Sequence, residues 1–476
     1  MEQFFETLQE WAKRFPGSIA LASQTGYMTY EDFVGNVTTV ANAATRNKVV
    51  PGQFIVLAGA NPDAQLIIAL SLLHLGCRVG YSRDIGIYES SGVTIDAVIA
   101  DAAIPGSKHR VITIGRNWFG GAEGTNLKLS PPATDFSMVF SSSGSTGRPK
   151  LIEFERKALL HKISVRVSDS LFGTRPRFLS ALGTRTAAHF SNVFAVLLRG
   201  GMAIGPKNRN GSTVLDTIEL FRPEYLFTTP STLVEILHRL DKKPMAFDKI
   251  RLLIASGSRF AAGLQRAVLD KFSEEFISFY GSTETGGIAW GSSKDVLEID
   301  GCVGRVADGV DVATYSSDGE RLSPGAEGKI RVKGQVGVFG KYIGDDAQHL
   351  SFANGWFVTG DIGFVDKDKN LIIRGRSSNV INTGGSKVSP EVLEEEIRAF
   401  SQVRDVGVTG VDRPEGFEKI CAAIVSKSKP TVADINALLH RRNARWPVHM
   451  VKNVSAIPKT DSGKIDRVAL RRLCSE

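Results

Sequence analysis

In Ser141-Ser142-Ser143-Gly144-Ser145-Thr146-Gly147-Arg148-Pro149-Lys150, hydroxyl side chains and two glycines are followed by two cations. Such a segment can wrap an anion, because glycine lets backbone N–H groups approach and adopt φ > 0. Its chemistry is that of a nucleotide-phosphate loop. It is not G-x-x-x-x-G-K-[ST], since Arg148-Pro149 follows Gly147. Pro149 also argues against a helix growing directly out of the loop. A plain Ser/Gly turn is the alternative.

Four more segments carry reactive or ligating side chains. Tyr280-Gly281-Ser282-Thr283-Glu284 joins an aromatic ring, a hydroxyl and a carboxylate on a glycine turn. Gly355 to Asp361 puts an acid on a tight turn. Gly375-Arg376, then Thr383-Gly384-Gly385-Ser386-Lys387 and Pro390-Glu391, is a loop leading into a helix. Pro458-Lys459-Thr460-Asp461-Ser462-Gly463-Lys464 sets one lysine on a glycine loop. The alternatives are a surface carboxylate for Glu284, a turn cap for Asp361 and a solvated lysine for Lys464.

In this order, from about Ser141 to Lys464, the segments resemble the core motifs of the adenylate-forming superfamily: acyl- and aryl-CoA synthetases, adenylation domains and beetle luciferases. The resemblance implies ATP, Mg²⁺ and a pantetheine thiol, CoA or that of a carrier protein. It places Ser142, Ser143, Gly144, Ser145, Thr146, Gly147 and Lys150 on the ATP phosphates and Tyr280 on adenine. Thr283 falls on the α-phosphate, Glu284 on Mg²⁺, Asp361 and Arg376 on the ribose, and Lys464 on the adenylation step. Gly385 falls where relatives open a passage for the thiol. His189 borders the acyl pocket or is a hydrogen-bonded structural histidine. Ser256, Gly257 and Gly286 shape the acyl and adenine cavity or are turn residues. The apolar Phe190 argues against amino-acid substrates.

The implied reaction suits these groups. A carboxylate is ionised at neutral pH, so it needs positioning and charge neutralisation rather than a base. Acyl-adenylate formation and attack by a thiol require different groups on one side of the substrate. The resemblance implies a hinged small domain that alternates them. Relatives carry Asp or Lys at the pivot, where this chain has Ser378.

The expected activity is therefore acid–thiol ligation through an acyl-adenylate, with CoA as acceptor and a small carboxylic acid as substrate. An acyl carrier protein is the alternative acceptor. A luciferase-like oxygenase and a non-enzymatic nucleotide-binding protein are the rivals. The identity of the acid is not legible.

Composition sets the wider bounds. The 476 residues are 42% hydrophobic and 23% charged, ordinary globular values. A net charge of +8 suits nucleotide ligands, and no basic stripe interleaved with aromatics points to nucleic acid. The acidic start resembles no signal peptide, and the longest apolar run, Leu66 to Cys77, is too short for a membrane span. Cys77, Cys302, Cys421 and Cys474 are widely spaced, which fits reduced thiols in a cytoplasmic protein.

The positioning elements alternate between strand and helix up to about residue 290. That pattern predicts an α/β fold of doubly wound parallel sheets, with ligands at strand carboxyl ends. From Gly304 to Gly375, short β runs and glycine turns predict a small antiparallel, barrel-like subdomain. The last hundred residues predict a small α+β domain with a βαβ-like tail. The expected division is 1–377 and 378–476, hinged at Ser377-Ser378-Asn379.

Overall fold

The computed structural model describes residues 4–476 apart from 60, 83, 121–134, 143–149, 169–171, 243–246, 298, 335–338, 344–351, 354, 378, 384–386, 413–417, 443, 445 and 461–462. It is an α/β fold built on two large sheets.

Among the described residues the larger sheet has 14 strands. Its parallel part runs Leu252–Ser256, Tyr225–Thr228, Arg177–Ser180, Met202–Gly205 and Ile19–Ser23. These strands are short apolar runs, and Tyr225–Thr228 is buried at every position. That is the pattern of strands covered on both faces. Phe276–Ser282 pairs parallel with Leu252–Ser256 and antiparallel with Gly286–Ser292.

The antiparallel strands expected between residues 304 and 375 are present. They do not stand apart: Gly286–Ser292 pairs with Cys302–Val306, which pairs with Asn370–Arg376, and the ladder continues through Trp356–Val365 to Gly328–Lys333.

Among the described residues the second sheet has seven strands, in the order Lys341–Ile343, Lys150–Glu155, Ser137–Ser142, Arg78–Tyr81, Phe54–Leu57, Ala97–Ala100 and Val111–Thr113. One apolar cluster draws on both sheets and the helices between them, including Phe33, Ile68, Phe140, Phe190 and Phe227.

Beyond residue 380 two further clusters, around Leu393, Val408 and Ile424 and around Cys421, Leu470 and Cys474, contain only residues of this end of the chain. Strands Val403–Asp412 and Glu418–Ser426 pair antiparallel, and Met450–Asn453 pairs parallel to the second across helix Val432–Arg441. The βαβ unit thus consists of Glu418–Ser426, Val432–Arg441 and Met450–Asn453, with Val403–Asp412 paired ahead of it. Only residues 413–417 separate the first two strands. A parallel crossover needs a dozen or more residues, so the pair must be a hairpin.

Candidate active site

Register brings the carboxyl ends of the parallel strands into one row. Phe227 lies opposite Ser180, Thr228 opposite Ala255, and Ser256 opposite Phe279. The residues just past these ends, Thr229, Gly257 and the Tyr280 to Thr285 segment, therefore share one edge of the sheet. Gly257 has φ +99, a conformation that excludes most side chains.

Thr283, Glu284 and Thr285 form the turn between Phe276–Ser282 and Gly286–Ser292. Ser282 Oγ accepts from Thr285 N at 3.2 Å, which tightens the turn. Gly281 is required by close approach: a Cβ there would stand 2.0 Å from Gly286 O. Glu284 is 8% exposed, and its Oε1 accepts a hydrogen bond from Tyr342 Oη at 2.7 Å.

Asp361, 5% exposed, sits opposite Arg376 across two antiparallel strands. Arg376 Nε donates to Asp361 Oδ1 at 2.9 Å, and Tyr280 Oη donates to Oδ2. The Asp361 carboxylate raises the Arg376 pKa. Burial, then Asp361, holds the Tyr280 phenol well above its ordinary value. It stays protonated and remains a donor.

Lys464 comes from the far end of the chain. Lys459 bridges Ile465, and Thr460 N donates to Lys464 O at 2.8 Å, closing a tight hairpin. Gly463, at φ +81, lies against Thr229. A Cβ added to Gly257 would stand 3.5 Å from Lys464 Cε, so the lysine arm crosses the sheet edge there. Burial, then the Arg376 charge, lowers the Lys464 pKa, while Asp361 and Glu284 oppose the shift. One ammonium thus feels groups from three separate strands and turns.

Three ion pairs, made by two cations, fasten this arrangement. Lys459 Nζ lies 3.1 Å from Glu235 Oε1 and 3.2 Å from Asp405 Oδ2. Arg259 Nε lies 2.7 Å from Glu395 Oε2. Burial works against the Lys459 charge, but Asp405 and Glu235 outweigh it and raise its pKa.

His189 stands in the first turn of helix Ala187–Leu198, whose N-cap Thr186 accepts from His189 N at 3.1 Å. Its Nδ1 is 2.8 Å from Ser180 Oγ at the end of strand Arg177–Ser180. Burial, aided by Arg209, pushes its pKa down to about 4. A neutral ring on the same sheet edge fits either the pocket border or a satisfied structural histidine.

The strands that flank the expected phosphate loop, Ser137–Ser142 and Lys150–Glu155, pair antiparallel, with Ser142 opposite Lys150. A strand therefore follows the loop, in keeping with Pro149. Ser143, Gly144, Ser145, Thr146 and Gly147 lie outside the described residues, as do Gly385 and Ser378. Lys150 Nζ sits 5.1 Å from the centre of the Tyr342 ring. Gly286, at φ +74, closes the Glu284 turn with Lys162 Nζ beside it.

Glu284, Asp361, Arg376, Tyr280, Gly257 and Lys464 are thus brought together, and Lys150 joins them through Tyr342. Tyr342 escaped sequence reasoning because its partner Glu284 is 58 residues away. A tyrosine in the segment Gly340-Lys341-Tyr342 gives no local sign of that contact.

The described residues hold no group of three His, Cys, Asp or Glu side chains fit for a metal. A lone buried carboxylate such as Glu284 suits Mg²⁺, which takes most of its ligands from phosphates and water. No described helix is long and apolar enough to cross a membrane.

Comparison with known proteins agrees with this architecture. The chain is 26% identical over 474 residues to a 2-succinylbenzoate–CoA ligase of Bacillus pumilus (strain SAFR-032), covering 96% of this chain and 95% of that one. It superimposes on the anthranilate CoA ligase AuaEII in complex with anthranoyl-AMP with TM-score 0.84 at 20% identity, covering 98% and 97% of the two chains. The o-succinylbenzoate coenzyme A synthetase of Bacillus subtilis, in complex with ATP and magnesium ion, gives TM-score 0.81 at 19% identity and 99% coverage of both. The AMP-binding enzyme model matches residues 93–343, more than half of the sequence, and the chain belongs to the AMP-binding enzyme family.

Proposed function

We propose that this chain is an AMP-forming acid–CoA ligase acting on an aromatic or other small carboxylic acid. The observation that carries the reading is Lys464, delivered by the C-terminal hairpin over Gly257 into the field of Glu284, Asp361 and Arg376. The ligase relatives, which act on 2-succinylbenzoate and anthranilate, support the substrate class and the thiol acceptor.

In this reading a carboxylate oxygen attacks the α-phosphorus of ATP. The bond from the α-phosphorus to the bridging oxygen breaks, and pyrophosphate leaves with its electron pair. Asp361 accepts from the ribose hydroxyls: a carboxylate has about four acceptor sites, and Arg376 and Tyr280 each take one. Tyr280 presents its ring to adenine. Thr283, at the turn beside Glu284, binds the α-phosphate. The Lys464 ammonium balances charge that builds on the transferring group, worth far more in a water-poor site than in bulk. Lys150 and the loop 142–147 hold the phosphates. Glu284 would hold Mg²⁺, which would supply further positive charge on the phosphate oxygens.

The acyl-adenylate is an activated anhydride, so exclusion of water matters. A CoA thiolate then attacks the carbonyl carbon, AMP leaves, and the thiol proton passes to solvent. We assign 378–476 as a lid whose rotation withdraws Lys464 and admits the thiol past Gly385. His189, Ser256, Gly257 and Gly286 are assigned to the walls of the acid and adenine cavities. A carrier-protein arm would offer the same thiol, and the CoA ligases among the relatives favour CoA.

The test is a pyrophosphate-release screen over 2-succinylbenzoate, anthranilate, ferulate and aliphatic acids, with and without CoA. Acid-dependent pyrophosphate release with CoA consumption supports the reading. Turnover that requires a loaded carrier protein and ignores CoA refutes the acceptor.

A further inference from the structure

Tyr342 belongs to none of the motifs that announce the chemistry, yet it touches two groups assigned to it. We propose that Tyr342 is a positioning residue for the ATP-bound magnesium ion: it fixes the direction of the Glu284 carboxylate and seats the Lys150 ammonium beside it. This rests on the reading of Glu284 as the magnesium carboxylate.

Strand Lys341–Ile343 is the outer strand of the seven-stranded sheet, with Tyr342 opposite Ile152. Its neighbour Lys150–Glu155 is the strand that leaves the phosphate loop. Glu284 belongs to a turn of the other sheet. The segment 340–342 therefore links strand Lys150–Glu155 of one sheet to the turn of the other sheet that carries Glu284. It grips Glu284 twice: Gly340 N donates to Glu284 O at 2.9 Å, and Tyr342 Oη donates to Glu284 Oε1 at 2.7 Å. Backbone and side chain of Glu284 are thus both held by Gly340 and Tyr342.

The placement leaves little slack. Tyr342 is 6% exposed, and a Cβ on Gly340 would stand 2.3 Å from Ile152 Cγ2, so the segment lies flat on the loop strand. A donor fixed on Oε1 sets the plane of the carboxyl group and therefore the direction of Oε2. The Lys150 Nζ, 5.1 Å from the ring centre, is held by the negative face of the same ring. Groups that orient a metal-binding carboxylate commonly change metal affinity when removed, although they never touch the ion.

Tyr342→Phe keeps the ring under Lys150 and removes only the donor. The probe is Mn²⁺ titrated by electron paramagnetic resonance into the full chain with the non-hydrolysable α,β-methylene ATP. The variant should bind Mn²⁺ about tenfold more weakly, with the native fold retained and unchanged metal-free nucleotide affinity. Glu284→Gln is measured beside it. Loss of Mn²⁺ in Glu284→Gln with wild-type affinity in Tyr342→Phe overturns the proposal and leaves the reading of Glu284 standing. Wild-type affinity in Glu284→Gln overturns that reading, and the proposal with it. Should the phenylalanine variant melt early, 3,5-difluorotyrosine at position 342 changes donor strength at nearly constant shape. A shift in Mn²⁺ affinity is then expected, and none overturns the proposal.

Discussion

Asp361 and Arg376 stand directly opposite each other on neighbouring antiparallel strands, with Arg376 Nε 2.9 Å from Asp361 Oδ1. The pair is set by strand register rather than by side-chain reach, and Tyr280 closes the other oxygen. The groups assigned above to ribose and adenine are therefore prearranged on a rigid ladder. Asp361→Asn keeps the shape and removes the charge. Hydrogen bonds to a charged group contribute about 1.5–3 kcal/mol, so ATP affinity should fall about 10- to 100-fold. Calorimetric titration of ATP checks this; unchanged affinity would place the ribose elsewhere.

Lys464 serves only the first half-reaction in this account. Lys464→Ala should lower acid-dependent ATP–pyrophosphate exchange by about 10²- to 10³-fold, the usual cost of losing one electrostatic stabiliser. Thioester formation from supplied acyl-adenylate should persist. Equal loss of both steps would refute the assignment.

The same lysine predicts a pH signature. Burial lowers its pKa in the folded chain, so the ammonium is lost at lower pH than the ordinary lysine value of about 10.4. Adenylation should decline on the alkaline side before that pH, while acyl transfer should show no such limb. Parallel pH profiles of the two half-reactions test it, and coincident alkaline limbs would argue against it.

His189 is neutral in the fold down to about pH 4, below the ordinary histidine value. Between those values the unfolded chain binds the extra proton, so its contribution to stability is complete above the ordinary value and falls as pH drops towards 4. Wild-type melting temperature should fall more steeply over that window than that of His189→Gln. If the two curves run parallel, the ring is not held neutral.

Gly281→Ala tests the turn that carries Glu284. The added Cβ would meet Gly286 O at 2.0 Å, a main-chain atom that cannot rotate away. The strand pair must open, and both melting temperature and exchange activity should drop. A fully active variant would mean that the turn tolerates a different path.

The candidate site was legible where chemistry is written in contiguous residues. Tyr280 to Glu284 and Pro458 to Lys464 each carry their turn glycine and their functional group within a few positions. Pro149 correctly excluded a helix after the loop, and a strand is found. Pairings between distant segments were not legible. Nothing local announces that Lys459 meets Glu235, that Arg259 meets Glu395, or that Tyr342 meets Glu284. The antiparallel strands after Gly304 were readable as strands. Their continuity with the parallel sheet depends on the Gly286–Ser292 ladder, which no residue pattern encodes.

The most direct test of the central claim follows oxygen. Aromatic acids that support turnover, prepared with ¹⁸O in the carboxyl group, are incubated with the chain, ATP, Mg²⁺ and CoA, and the nucleotide product is analysed by mass. Attack of the carboxylate on the α-phosphorus predicts AMP carrying one labelled oxygen. Unlabelled AMP, or ADP as the product, would contradict it.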